Sequence, residues 1–249
     1  MNSILHLESI LSKVDHLLLD EGLKDFEVHQ EGFRKLGELY LLSSLEQHQI
    51  CDTTTNFVRT QDELAHIFPT VLSGTLSSTW KSVYEDVLRL RDYDSSQNKS
   101  DILGSLFQRL LTTQYVQDKG IVFTPQPIVE HILSQVGFQS ASFNPVDSLI
   151  DLSCGSGIFL ARSAVLATRV AVKQGLNISK ILDYVSNKII GFDIDPDAVF
   201  ISHVNLIDQL LEELGTKFAL DYIFQPNIFQ TNSLLRNNKA DIANVRKLK

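Results

Sequence analysis

Apolar positions in the first part of the chain recur at helical spacing. Ile4, Leu7, Leu11, Val14 and Leu18 fall on one helical face. Phe33, Leu36, Tyr40, Leu41 and Leu45 define the face of a second helix. Thr60 and Glu63 have capping-box spacing ahead of Leu64, Ile67 and Phe68, and Pro69 ends that short helix. Trp80, Val83, Tyr84, Val87 and Leu88 mark another. Aromatic residues at this spacing read as core, and no residue type here suggests site chemistry. The pattern predicts a helical domain over 1–91, suited to docking. Asp92 to Ser100 is polar and serine-rich. With the amphipathic stretch Asp101 to Leu111, it predicts a linker and connecting helix over 92–119.

From residue 120 the pattern alternates. Val146 to Leu152 is a short apolar run, expected as a buried strand, and it ends in the glycine turn Gly155-Ser-Gly157. Ile158, Leu160, Ala161, Ala164, Val165 and Ala167 then predict a helix to about Gln174. A helical stretch, Ile178 to Val185, precedes a second strand, Lys188 to Asp195. Asp195-Pro196 pairs an N-cap residue with a first-turn proline. The helix it opens carries Ala198, Val199, Ile201, Val204, Leu206, Ile207, Leu210 and Leu211. A third apolar run spans Phe218 to Phe224. Strands alternating with helices predict an α/β domain with a parallel sheet over 120–249, after the helical domain.

The strand–glycine–helix unit is a ligand cradle. Gly155 and Gly157 lack side chains, so backbone amides can approach a ligand. The following helix start offers unpaired N–H donors to an anionic group. Asp151, at the strand's carboxyl end, places a negative charge beside those donors. A ligand with one anionic and one cationic end suits this arrangement. Asp193, at the end of the second strand, can accept from both hydroxyls of a ribose. Asp195 reads as a helix cap. Thr124 and Pro125 read as an N-cap and first helical residue ahead of Ile128, Val129, Ile132 and Leu133.

Asp151-Leu-Ser-Cys-Gly-Ser-Gly-Ile-Phe-Leu160 resembles the S-adenosylmethionine-binding motif of amino-group DNA methyltransferases. There Asp-Pro-x-Cys-Gly-Ser-Gly-x-Phe-Leu is usual, and Leu152 stands at the proline position. The subgroup it resembles is the N6-adenine methyltransferase of type I and type IIG restriction–modification systems. Gly120-Ile-Val-Phe-Thr-Pro125 is similar to that family's cofactor-closing motif, and Gly191-Phe-Asp-Ile-Asp195 to its ribose-binding strand end. Asn232 stands where the family has an Asp that bonds the cofactor's adenine; its carbonyl can still accept, and an ordinary Asx-turn is the other reading. The resemblance implies a Rossmann-like fold binding S-adenosylmethionine. The implied site is Phe123, Thr124, Pro125, Asp151, Ser153, Cys154, Gly155, Gly157, Asp193, Ile194 and Asn232, with Ile194 on the adenine face.

The family holds its target base with an [Asp/Asn]-Pro-Pro-[Tyr/Phe] motif, and this sequence has no Pro-Pro pair. No catalytic residue is therefore assigned. The expectation is an incomplete methyltransferase domain, the cofactor-binding front of a DNA adenine-N6 methyltransferase, inactive alone. DNA would be engaged through a missing C-terminal half or a specificity subunit. A second polypeptide could complete the sheet, at an open edge expected after Asp241.

Composition narrows the alternatives. A net charge of −8 argues against strong DNA binding by this chain alone. Its basic cluster, Arg236, Lys239, Arg246, Lys247 and Lys249, is C-terminal. No run of 18 or more apolar residues predicts a membrane span. The region Met1 to Leu19 is amphipathic and lacks a signal-peptide core. Cys51 and Cys154 form no disulfide or zinc spacing, so the reducing cytoplasm is the expected setting. Seven scattered histidines predict no metal site. Cys154 reads as a small buried packing residue, because methyl transfer from a sulfonium to an amine needs no covalent enzyme intermediate. A nicotinamide-dependent oxidoreductase would want a third glycine where Leu160 stands. It would also want an acidic residue about 20 positions on, whereas Asp193 lies 36 beyond Gly157. A non-catalytic helical interaction subunit with a relic cofactor fold is the remaining alternative.

Overall fold

The computed structural model describes residues 3–20, 22–23, 25–50, 64–72, 80–94, 102–110, 121, 123–138, 148–218 and 223–234. The chain divides into two compact units, Met1–Gly120 and Ile121–Lys249. It is mostly helical, with one small parallel sheet, and falls in the α/β class.

The first unit contains α1 (Ser3–Asp20), α2 (Asp25–Gln47), α3 (Lys81–Asp94) and α4 (Ile102–Leu110). Leu7, Leu11, Val14 and Leu18 of α1 are buried, as are Phe33, Leu36, Tyr40, Leu41 and Leu45 of α2. These are the faces set by the helical period. Trp80, Val83, Tyr84 and Val87 are buried too, and the Tyr84 hydroxyl donates to Glu46 at 2.5 Å. Helix α3 continues to Asp94, beyond the boundary at 91, because nothing in Arg91-Asp-Tyr-Asp94 breaks a helix. The connecting helix expected within 92–119 is α4, and it belongs to this unit. Leu103, Leu106 and Phe107 are buried, the Phe107 ring lies 5.6 Å from that of Phe33, and Arg109 pairs with Glu8 at 2.7 Å. The Thr60–Glu63 capping box lies outside the described residues. Leu64 and Phe68 beyond it are buried.

The second unit runs α5 (Gln126–Gln135), β1 (Leu149–Asp151), α6 (Ile158–Lys173), α7 (Ile178–Lys188), β2 (Ile189–Asp193), α8 (Pro196–Leu214), a 3₁₀ turn (Gly215–Lys217) and β3 (Asn227–Gln230). The strands lie in the order β1-β2-β3, all parallel, with Ile150 beside Ile190 and Gly191 beside Ile228. Parallel pairing brings all three carboxyl ends to one edge, and the helical connections make it possible. Every residue of β2 is buried, the mark of a central parallel strand. Helix α6 packs on β1 and β2, while α8 packs on α6, β2 and β3. The close approach of α6 needs glycine at 191: a Cβ there would stand 2.5 Å from Leu160 Cδ1 and 3.2 Å from Cys154 Sγ.

The strand expected to be buried over 146–152 is, among the described residues, Leu149–Asp151, and it is not buried: Leu149 and Asp151 are half-buried and Ile150 and Leu152 are exposed, since β1 is the end strand of the described sheet. Two boundaries also differ from those the sequence suggests. Helix α7 extends to Lys188, so β2 begins at Ile189 and closes at Asp193. The third strand is Asn227–Gln230 and not the apolar run before it. Phe218 and Phe224 are instead core residues, their rings edge to face at 5.9 Å. Residues after Leu234, including Asp241, its expected open edge and the basic cluster, lie outside the described residues, as does Cys51. Among the described residues no helix is long and apolar enough to cross a membrane.

Candidate functional site

The glycine loop joins β1 to α6 and is held from several sides. Asp151 ends β1 and is half-buried, and its Oδ1 accepts the Ser153 N–H at 3.1 Å. The chain then crosses to β2, where the Cys154 N–H donates to the Phe192 carbonyl at 2.9 Å. Gly157 N–H donates back to the Cys154 carbonyl at 2.8 Å, closing a tight turn.

Both loop glycines have positive φ, for different purposes. Gly155 has φ +54, and a Cβ there would meet nothing within 4 Å, so its outer side is open. Gly157 has φ +80, and a Cβ there would stand 2.8 Å from Ser202 Cα. One glycine serves the backbone turn and access; the other also serves close packing on α8. Gly157 is the N-cap of α6 and contributes no side-chain cap, so the first-turn donors have no side-chain acceptor from that position.

Asp193 ties the second strand to this loop. It is buried; Oδ2 accepts the Gly155 N–H at 2.8 Å and Oδ1 the Asp195 N–H at 2.9 Å. Its backbone carbonyl accepts from Thr231 N–H at 2.7 Å, bringing the end of β3 alongside. Two carboxylates thus flank one loop. Burial, and secondarily the Asp193 charge, raise the Asp151 carboxyl above the ordinary aspartate range, against the opposing Ser153 N–H. Asp195 caps α8, its Oδ1 accepting from Asp197 N–H at 2.8 Å and Ala198 N–H at 3.4 Å. Ile194 is 56% exposed, and Gln230 Nε2 donates to its carbonyl at 3.4 Å.

Cys154 is buried beneath the loop, with Sγ 3.5 Å from Ser202 Oγ. Burial pushes its thiol up to about 12, so it holds its proton and acts as packing. Ser153 is exposed at the turn. Asn232 is half-buried, and its Oδ1 accepts the Leu234 N–H at 3.1 Å, an Asx-type turn that occupies one of its two lone pairs.

Phe123, Thr124 and Pro125 lead into α5. The helix begins one residue later than Thr124-Pro125 suggests: Pro125 is the N-cap, and no side chain caps the end. The reason is the second proline. With Thr124 as cap, Pro127 would fall at the third helical position and offer no N–H to the hydroxyl. Instead the Pro125 carbonyl accepts from Ile128 and Val129 at 2.9 and 3.2 Å. This segment is secured to the loop's helix through α5. Val129 and Leu133 are buried, α5 packs on α6, and Glu130 pairs with Arg162 of α6 at 2.5 Å. The Gln126 side chain and then Arg162 hold the Glu130 carboxyl below its ordinary range.

Sequence reading missed Ser202 and Asn205. Ser202 Oγ donates to the Gly155 carbonyl at 2.7 Å, and Asn205 Nδ2 to the Ser156 carbonyl at 2.8 Å. Their signal was two polar residues at i, i+3 within the buried stripe of an apolar helix.

The arrangement offers the first-turn donors of α6 beside a loop with one open glycine, a carboxylate at each of two adjacent strand ends, and an exposed aliphatic residue beside the second. It fits a ligand with an anionic group, a cationic group, a diol and a flat apolar ring. Among the described residues no group of three or more His, Cys, Asp and Glu side chains could hold a metal ion. The chain matches no family model, no curated protein and no solved structure.

Proposed function

We propose that Ile121–Lys249 is the S-adenosylmethionine-binding part of a DNA adenine-N6 methyltransferase of a restriction–modification system, on a Rossmann-like methyltransferase fold. The observation that carries the reading is the bond from Gly155 N–H to Asp193, which gathers the glycine loop and the ends of β1 and β2 at one place. Ligands of open parallel α/β sheets collect outside the carboxyl ends of such strands.

In this reading the first-turn donors of α6 hold the methionine carboxylate, and Asp151 faces the cationic end. The outer lone pairs of Asp193 accept from the ribose hydroxyls. Ile194 lies on the adenine face, with Asn232 at its edge. Phe123, Thr124 and Pro125 close the cofactor pocket from the start of α5. The cofactor supplies an electrophilic methyl group. The protein's part is to orient it and exclude water. A flipped adenine needs contacts to its Watson–Crick edge, and the sequence carries no Pro-Pro motif to make them. In this reading the groups that hold the flipped adenine are supplied from outside residues 1–249, by a C-terminal half or by another subunit, and the setting is the cytoplasm.

Equilibrium dialysis tests the reading, with radiolabelled S-adenosylmethionine against the whole chain and NAD as comparator. Retention of S-adenosylmethionine, displaced by S-adenosylhomocysteine and not by NAD, is expected. Retention of NAD alone would make the chain a dinucleotide binder, and retention of neither a relic of a cofactor fold.

A further inference from the structure

The turn after β3 fixes which way one side-chain amide faces. Thr231 N–H donates to the Asp193 carbonyl at 2.7 Å, and Gln230 Nε2 to the Ile194 carbonyl at 3.4 Å. These bonds hold the end of β3 beside Asp193 and Ile194, and Asn232 is the next residue along. Its Oδ1 accepts the Leu234 N–H at 3.1 Å. The two ends of a carboxamide are not interchangeable at such a bond. Turned over, Asn232 would set one donor, Nδ2, against another, the Leu234 N–H. The amide is thereby fixed with its oxygen toward Leu234. Nδ2 meets no acceptor among the described residues and is open to solvent.

A carboxamide presents an oxygen lone pair beside an N–H. Leu234 takes one of the two lone pairs of Oδ1 and leaves the other. Adenine presents the complement: its 6-amino group donates, and the ring nitrogen beside it, N1 or N7, accepts. Asparagine meets such an edge with two parallel bonds. An aspartate in the same place would accept from the amino group. It would have nothing to give the ring nitrogen, and it would repel that atom's lone pair. Asn232 therefore adds a donor that a carboxylate lacks.

We propose that Asn232 is a specificity-determining residue that reads the ligand's adenine as a donor–acceptor pair. The 6-amino group donates to Oδ1, and Nδ2 donates to the ring nitrogen beside it. The proposal rests on the S-adenosylmethionine reading, in which the ring lies on Ile194. The fixed amide makes the contact selective. Hypoxanthine carries a carbonyl in place of the amino group. An asparagine free to turn over could suit it, but Asn232 would have to give up the Leu234 bond.

The test is competition against radiolabelled S-adenosylmethionine on the full chain. The competitors are S-adenosylhomocysteine and its counterparts with hypoxanthine, 1-deazaadenine or 7-deazaadenine as the base. In the wild type, the hypoxanthine counterpart and one deaza counterpart should each compete about tenfold less well than the parent, the worth of one hydrogen bond. The same panel is run on Asn232→Asp, in which a carboxylate oxygen still accepts the Leu234 N–H. There the deaza penalty should vanish, because no donor is left to lose, and the hypoxanthine penalty should remain.

Wild-type protein that binds both deaza counterparts as well as the parent overturns the proposal, whether or not the variant folds. A deaza penalty that persists in Asn232→Asp assigns the ring nitrogen to another donor and overturns it too. In either case retained S-adenosylmethionine leaves the cofactor reading standing. If the wild type retains no S-adenosylmethionine, that reading fails and this assignment falls with it.

Discussion

Asp193 Oδ2 accepts the N–H of Gly155 at 2.8 Å, joining the end of β2 to a loop 38 residues earlier. Its other oxygen accepts from Asp195 N–H at 2.9 Å. The same buried carboxylate therefore shapes the loop and stands in the site. Asp193→Ala leaves both N–H groups without this acceptor. We predict a stability loss of about 1–3 kcal/mol, the cost of a buried donor left unsatisfied. Asp193→Asn should recover only part of it, because its amide group cannot accept. Urea unfolding midpoints measure both, and a midpoint unchanged in Asp193→Ala would remove the carboxylate from the account of loop structure.

Asp151 should show the opposite balance. Its folded-state pKa is raised, chiefly by burial. The linked stability is complete below the unfolded value of about 3.9 and is lost as pH rises through the folded value. At neutral pH the ionised side chain is a standing cost to the ligand-free fold. Asp151→Asn keeps an acceptor for Ser153 N–H and removes the charge. It should raise the melting temperature at neutral pH and weaken S-adenosylmethionine binding by on the order of 1–3 kcal/mol. A lower melting temperature with unchanged affinity would contradict both halves.

His203 gives the second unit a dependence on acid. It is buried on α8, with Nδ1 2.9 Å from the Val199 carbonyl, and burial lowers its pKa. A depressed histidine is neutral in the fold, while the unfolded chain protonates near pH 6.5. Below that value the unfolded state binds more protons, so stability falls as pH drops toward the folded pKa. Melting temperatures recorded between about pH 7 and pH 5 should decline, and the slope should flatten in His203→Gln. An equal slope in the variant would assign the decline to other groups.

The two loop glycines separate backbone strain from packing. Alanine at 155 meets open space and faces only the left-handed backbone cost of about 1–2 kcal/mol. Alanine at 157 meets that cost and also stands 2.8 Å from Ser202 Cα, backbone that cannot swing aside. Gly157→Ala should be the more destabilising by at least about 1 kcal/mol. Calorimetric melting of the two variants decides it; equal losses would mean that α8 yields to the new side chain.

What could be read from the sequence was local. The glycine turn, the periodicity of α6 and the cap at Asp195 all concern neighbours in the chain, and the fold places them where the pattern does; the apolar run ahead of the turn is instead a three-residue strand, Leu149–Asp151, whose Ile150 is exposed. One departure is local as well, and two depend on distant partners. The cap moves one residue, from Thr124 to Pro125, because Pro127 has no N–H to give the Thr124 hydroxyl. Strand β3 is set by pairing of Ile190 to Asp193 with Asn227 to Gln230, so the more apolar Phe218 and Phe224 go to the core instead. Ser202 and Asn205 look like ordinary substitutions in a helix until Gly155 and Ser156 are brought above them.

Titration calorimetry with S-adenosylmethionine, on the wild-type chain and on Asp193→Ala, tests the central claim most directly. The account predicts one site in the wild type, and in the variant an affinity lower by on the order of 1–3 kcal/mol, the worth of a charge-assisted acceptor. No binding by the wild type, or the same affinity in the variant, would contradict it.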